Sequence, residues 1–305
     1  MKAHNALGGS IRRHPVAAFL LWFFTVGQLF AFAPLYLDSA VPVQWFINGS
    51  TVVGLLLPAV VITRIVDGWQ GVRHLAQRVV KGGGPAAVYV VGLVLMPVLA
   101  VGLAVALLGP PEVPTATLVS AVGSSVLIGT AVGLLLNNLW EEVAWMGFVQ
   151  ARLQQRHGAM RAALLVAPLF ALQHTALLIQ NDPVTFVVIL LAFTLVVIPF
   201  RALMAWIYNR TGGSLLLVGS VHALSNAVGP GAGFGPGYLR QLYPEDAELV
   251  GVLHVAAIAL IGMAVIVVTR ARLGRQDIDS LGAREDDGAL SAPAAAAPWA
   301  PAPPR

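Results

Sequence analysis

The sequence predicts an all-α, polytopic membrane protein of about eight transmembrane helices, and three observations carry that prediction. Of the 305 residues 57% are hydrophobic and only 10% charged, whereas soluble domains run near a quarter charged. A chain of mean hydropathy +0.79 cannot hide its apolar surface from water and needs lipid as its solvent. The apolar residues fall into eight runs, most of them near the roughly 20 residues that cross about 30 Å of hydrocarbon. The basic residues between those runs gather on alternate sides.

The first run, 16–37, follows Lys2, Arg12 and Arg13 and superficially resembles a secretory signal, with Ala31-Phe32-Ala33 in the place of a cleavage site. It is longer than a signal's apolar core and Pro34 would follow the cut, so an uncleaved first helix is expected. The next runs are 45–63, 86–108 and 118–150. The last is too long for one straight crossing, with Gly123-Ser124-Ser125 as the place for a break. Runs 162–179, 184–200, 214–228 and 250–269 complete the set. Between the last two, GPGAGFGPG at 229–237 predicts an irregular loop. These assignments divide the chain into an N-terminal segment 1–15, a transmembrane helical domain 16–269 and a tail 270–305. The tail ends in a Pro/Ala-rich stretch with no means of building a core, and disorder is expected there.

Three Lys or Arg precede run 1, four lie between runs 2 and 3, three between 4 and 5, two between 6 and 7, and three follow run 8, while the opposite loops hold only Arg240. That alternation places both termini in the cytoplasm and accounts for the net charge of +4 without any nucleic-acid surface. Sixteen arginines against two lysines, with abundant Ala, Val and Gly, point to a GC-rich bacterial genome and a bacterial cell membrane. With no cysteine, disulfides, thiolate metal sites and cysteine nucleophiles are excluded.

Ionisable groups inside apolar runs are costly and by default line a site. Here they are Glu141, Glu142, His174 and His222, with Asn137, Asn138, Gln173 and Asn226 as uncharged companions. The amides Asn137, Asn138 and Gln173 read as interhelical hydrogen-bonding residues. Arg201, at the end of run 6, reads as snorkelling to the interface, and Trp145, Trp206 and Tyr208 as packing or interface anchors. Counting from Arg152, Arg161 and Arg210 at a rise of 1.5 Å per residue, Glu141, His174 and His222 lie about 16, 20 and 18 Å into their helices. Three helices thus carry ionisable groups at nearly one depth. His222 and Asn226, four apart, share a helical face. Glu141 and Glu142 diverge by about 100 degrees, so one is free for chemistry while the other serves a structural partner.

Three motifs emerge in order on separate runs: Glu141-Glu142 with Met146 four residues on, Phe170-x-x-x-His174, and His222-x-x-x-Asn226. They resemble the motifs Glu-Glu-x-x-x-Arg, Phe-x-x-x-His and His-x-x-x-Asn of the CAAX protease and bacteriocin-processing (CPBP, or Abi) family of intramembrane proteases, which includes type II CAAX prenyl endopeptidases. The link Trp206 to Ser214 is also similar to the family's. The resemblance covers about 118–228 and departs at Met146, where the motif has arginine.

The resemblance implies an intramembrane endopeptidase acting on membrane-associated peptides or proteins. Glu141 would be the general base on a water, His174 would hold that water or shuttle its proton, and His222 and Asn226 would stabilise the oxyanion, with Glu142 and Phe170 in support. Glu141, His174 and His222 would equally serve as a three-ligand zinc site, and the metal-bound and metal-free versions use the same residues. Two other readings remain: a proton- or ion-coupled transporter, since intramembrane Glu and His also mark relays, and a non-catalytic, bacteriocin-immunity-like scaffold. The resemblance by itself implies no prenylated substrate.

Overall fold

The computed structural model describes residues 2–37, 40–231 and 235–274, with side chains from residue 8 onward. Among them there is no strand. Nine helices are labelled α1 Lys2–Arg13, α2 Pro15–Leu35, α3 Val43–Val79, α4 Ala86–Leu108, α5 Thr115–His157, α6 Ala159–Gln173, α7 Pro183–Arg210, α8 Leu215–Val228 and α9 Ala247–Val268. Six of these, α2 to α5, α7 and α9, are long and apolar enough to cross a membrane. They leave Leu21, Val98, Leu127, Leu191 and Leu260 more than half exposed, as lipid-facing helices must.

The other two apolar helices are short. α6 has 15 residues and α8 has 14, about 22 Å and 21 Å at the usual rise. α8 is short because it meets almost no lipid: α3, α4, α5 and α7 all pack on it, and eleven of its residues from Leu215 to Val228 are buried. At Gly219 its backbone lies against α5 so closely that a Cβ would sit 3.0 Å from the Leu139 Cα. Its start is pinned as well. Ser214 caps the helix by accepting from Leu217 N at 3.1 Å, and its hydroxyl donates to the Lys81 carbonyl. Lys81 in turn donates to the Gly212 carbonyl at 2.7 Å, which ties the end of α3 to the α7–α8 turn.

Several expected boundaries move. Run 2 continues to Val79, and Gly68 (φ 71°) inserts a non-helical residue that divides α3 into an apolar part and an amphipathic one. Run 4 extends over all of Thr115–His157 and does not break at Gly123; the helix widens there into π-type turns over Val122–Gly129. Run 5 reaches its expected end but is interrupted: α6 stops at Gln173, His174 (φ −91°, ψ 9°) breaks the helix, and a short helix Thr175–Leu178 follows. Run 6 does not end at Phe200 but continues to Arg210. α7 starts on a firm signal: the Asp182 carboxylate accepts from Val184 N and Thr185 N, both at 3.1 Å, with Pro183 at the first helical position.

The start of the expected tail is also shifted. Residues 270–274 fold back, Leu273 is fully buried, and its carbonyl accepts from Asn209 Nδ2 of α7 at 3.0 Å. The rest of the tail, 275–305, and the loop centre 232–234 lie outside the described residues.

Candidate active site

Glu141 and Glu142 sit on one turn of α5, Leu139–Glu142, between two π-type segments, Leu134–Asn138 and Val143–Gln150. Such wide turns often accompany functional sites. They also occur in α2, α3 and α4, so here they mark nothing alone.

Adjacent on the helix, the two carboxylates part company at once. Glu142 is fully buried and accepts from Arg201 Nη1 at 2.8 Å (Oε1) and 3.0 Å (Oε2), while its Oε1 also lies 2.9 Å from His222 Nδ1. Glu141 is 5% exposed and is held by amides: Gln173 Nε2 donates to Oε1 at 2.7 Å and Asn138 Nδ2 to Oε2 at 3.4 Å. His222 Nδ1 lies 3.8 Å from the same Oε2. Trp145 Nε1 donates to Gln173 Oε1. An indole can only donate, so this bond fixes which end of the Gln173 amide faces Glu141.

Phe170 is the centre of the surrounding packing. Its ring centroid is 5.1 Å from that of His174, 5.9 Å from His222, 6.0 Å from Trp145 and 6.3 Å from Phe200. The Arg201 guanidinium carbon lies 5.2 Å over the same ring, a cation–π contact. His174 is half-buried; its Nδ1 pairs with the Phe170 carbonyl at 2.9 Å and its ring meets Phe193 edge-on at 5.2 Å. With Nδ1 so occupied, Nε2 is the nitrogen left for chemistry.

The structure therefore brings Glu141, Glu142 and His222 into one polar cluster. His174 packs against the ring of Phe170 and is hydrogen-bonded to neither Glu141 nor His222. Asn226 stands one turn beyond His222, half-buried, and its side chain makes no hydrogen bond with the described residues. No group of three or more His, Asp or Glu side chains among the described residues is arranged to hold a metal ion. The Glu141, His174 and His222 set thus does not fit zinc as placed.

Sequence reasoning missed or misread several site residues. Arg201 does not snorkel: it is 0% exposed and paired with Glu142. Gln173 does link helices, α6 to α5, but onto the Glu141 carboxylate, and Asn138 reaches the same carboxylate from within α5 and links none; Asn137, which accepts from Thr51 Oγ1 at 2.6 Å, has only the linking role. Trp145 is a completely buried orienting group. An open groove of about 550 Å³ lined by Pro97, Val101, Val105, Val126, Val228 and Tyr238 has no acidic or basic side chain in its lining and shares no residue with the cluster.

Residues 123–228 match the family model described as Rce1-like, type II CAAX prenyl endopeptidase Rce1-like. The match begins inside α5 and ends on the last residue of α8, so it takes in every residue of the cluster, Arg201 included. No curated protein matches the chain.

Proposed function

From the premise that residues 123–228 belong to the CAAX protease family, we propose that the chain is an intramembrane endopeptidase in which Glu141 activates the attacking water. The observation that supports this most is the unequal treatment of the two glutamates. Glu142 is paired with Arg201 and engaged by His222, whereas the hydrogen bonds to Glu141 come only from neutral amides. A carboxylate offers about four acceptor positions, so two amides leave room for a water.

The steps follow from the donors present. Glu141 takes a proton from water as the oxygen attacks the peptide carbonyl. His222, with Nδ1 directed at Glu142, presents Nε2 to the reacting side, and the Asn226 side chain, on the same helical face, supplies a donor to the developing oxyanion. As the tetrahedral intermediate collapses and its C–N bond breaks, His174 Nε2 passes the proton that Glu141 took from water to the leaving amine nitrogen. Both the substrate class, a membrane-associated peptide or protein, and the location in a bacterial cell membrane with cytoplasmic termini belong to this proposal. Zinc held by Glu141, His174 and His222 is the competing version, and it requires the three to move together from their present positions. In the metal-free version, activity survives exhaustive chelation.

Ion or proton relay is disfavoured, because a relay needs groups that exchange protons freely and Glu142 is locked between two partners. The experiment is comparison of peptide termini in membranes from cells carrying wild-type or Glu141→Gln protein. Termini that depend on Glu141 identify substrates. Substitution of the base is expected to lower their yield by roughly 10²- to 10⁴-fold. Equal termini in both, with both proteins folded, would leave the chain a non-catalytic member; loss of proton flux in Glu141→Gln proteoliposomes would favour transport.

A further inference from the structure

Arg201 is among the largest side chains that the protein buries completely. A guanidinium in an apolar bundle is tolerated only against a specific partner, and its partner is Glu142, which is equally sealed from solvent. The position four residues after Glu142, where the motif has arginine, holds Met146, also 0% exposed and unable to neutralise anything. Arg201 comes from α7, 59 residues further along the chain. Besides binding both oxygens of Glu142, it lies over the ring of Phe170, and through Glu142 it reaches His222 Nδ1. Only its Nη1 is engaged; Nε and Nη2 have no partner among the described residues. A residue shaped by a fork-to-fork pairing would use two nitrogens. This one reaches the carboxylate from a different helix, by one nitrogen.

We infer that Arg201 is a positioning residue that does from α7 the work of the arginine absent at Met146, holding Glu142 so that His222 keeps Nδ1 on it and Nε2 towards the substrate. The inference rests on the protease reading for its catalytic consequence, but the arginine relocation itself does not. Among the described residues, His222 is the only side chain besides Arg201 that contacts the Glu142 carboxylate. Loss of Arg201 would leave that ring as the sole partner of a buried carboxylate.

The test is a cycle of full-length proteins: wild type, Arg201→Met, Arg201→Lys, Met146→Arg, and Met146→Arg combined with Arg201→Met. Each is purified in detergent for its melting temperature and expressed in cells for the Glu141-dependent termini. Arg201→Met, which fills the space without charge, is expected to lower both the melting temperature and the cleavage, the latter by roughly 10- to 100-fold as when a group that orients an active residue is removed. Arg201→Lys should recover part of both losses and the combined variant most of both. Wild-type behaviour of Arg201→Met, or a combined variant no better than Arg201→Met, would overturn the inference. Recovery of melting temperature without cleavage would reduce the pair to a structural one and overturn the positioning role. If wild-type and Glu141→Gln cells yield the same termini, the protease reading fails, while the melting temperatures still decide whether the arginine was relocated.

Discussion

Glu141 and Glu142 have the same chemistry and lie one residue apart, yet their surroundings give them opposite tasks. Breaking a buried ion pair by removing one partner typically costs about 3–5 kcal/mol, because the other charge is left unpaired out of water. Glu142→Gln leaves Arg201 in that state, so a large fall in melting temperature is expected in detergent. Glu141→Gln removes a charge that has no cationic side chain in hydrogen-bond range and should melt close to wild type. The reverse ranking would overturn the assignment of roles. The cost of ionisable groups in lipid was enough to find Glu141, Glu142, His174 and His222 in the sequence, since each interrupts an apolar run. Arg201 was not legible: at the end of a run, before Ala-Leu-Met, a basic residue looks like an interface anchor, and nothing local records a partner 59 residues back. Gln173 was seen but not placed, because an amide's role depends on which helix faces it.

At the scale of elements, the site depends on α8 being enclosed by other helices along its length, with little of its surface left for lipid. Gly219, one turn before His222, permits the close approach to Leu139, the residue that opens the glutamate turn. A valine there would collide with the α5 backbone, which cannot yield as a side chain can. Gly219→Val should therefore lose melting temperature and cleavage together, and a variant that kept both would show that the approach is not needed. α7, which delivers Arg201, begins at Asp182, and hydrogen bonds from Thr185 and Val184 hold that carboxyl below its ordinary value. A depressed folded value stabilises above the unfolded one, near pH 3.9, and the benefit disappears as pH falls through the folded value. The difference in melting temperature between wild type and Asp182→Ala should accordingly be constant from pH 6 to 8 and begin to shrink only below about pH 4, as the pH approaches the depressed folded value. A difference that persists in acid would mean the cap works by packing. Helix ends of this kind were only partly readable: apolar content found all eight runs, but it could not distinguish a helix enclosed by protein, such as the 14-residue α8, from one that faces lipid.

For the molecule as a whole, the orientation in the membrane decides which compartment supplies the substrate, and it rests on the distribution of basic residues. Arg64, Arg73, Arg78 and Lys81 follow the apolar part of α3, and Arg152, Arg156 and Arg161 surround the α5–α6 turn. The structure joins these two regions, because Arg152 pairs with Asp67 and Arg78 Nη1 donates to the Tyr208 hydroxyl at 2.8 Å, near the end of α7. Basic residues from three connections thus collect at one end of the bundle, as the positive-inside rule requires of a cytoplasmic face. Since the native chain has no cysteine, single reporters need no background removed. Cysteines replacing the exposed Glu112 and Glu245 are expected to react with a membrane-impermeant maleimide on intact cells. Those replacing the exposed Gly82 and Gln155 should react only after permeabilisation. Labelling of Gly82→Cys and Gln155→Cys from outside, with Glu112→Cys and Glu245→Cys protected, would invert the protein and move its substrates to the other side of the membrane. Because Arg152, Arg161 and Arg210 set the depth scale, such an inversion would leave the geometry of the glutamate cluster untouched and change only the side from which a peptide reaches Glu141.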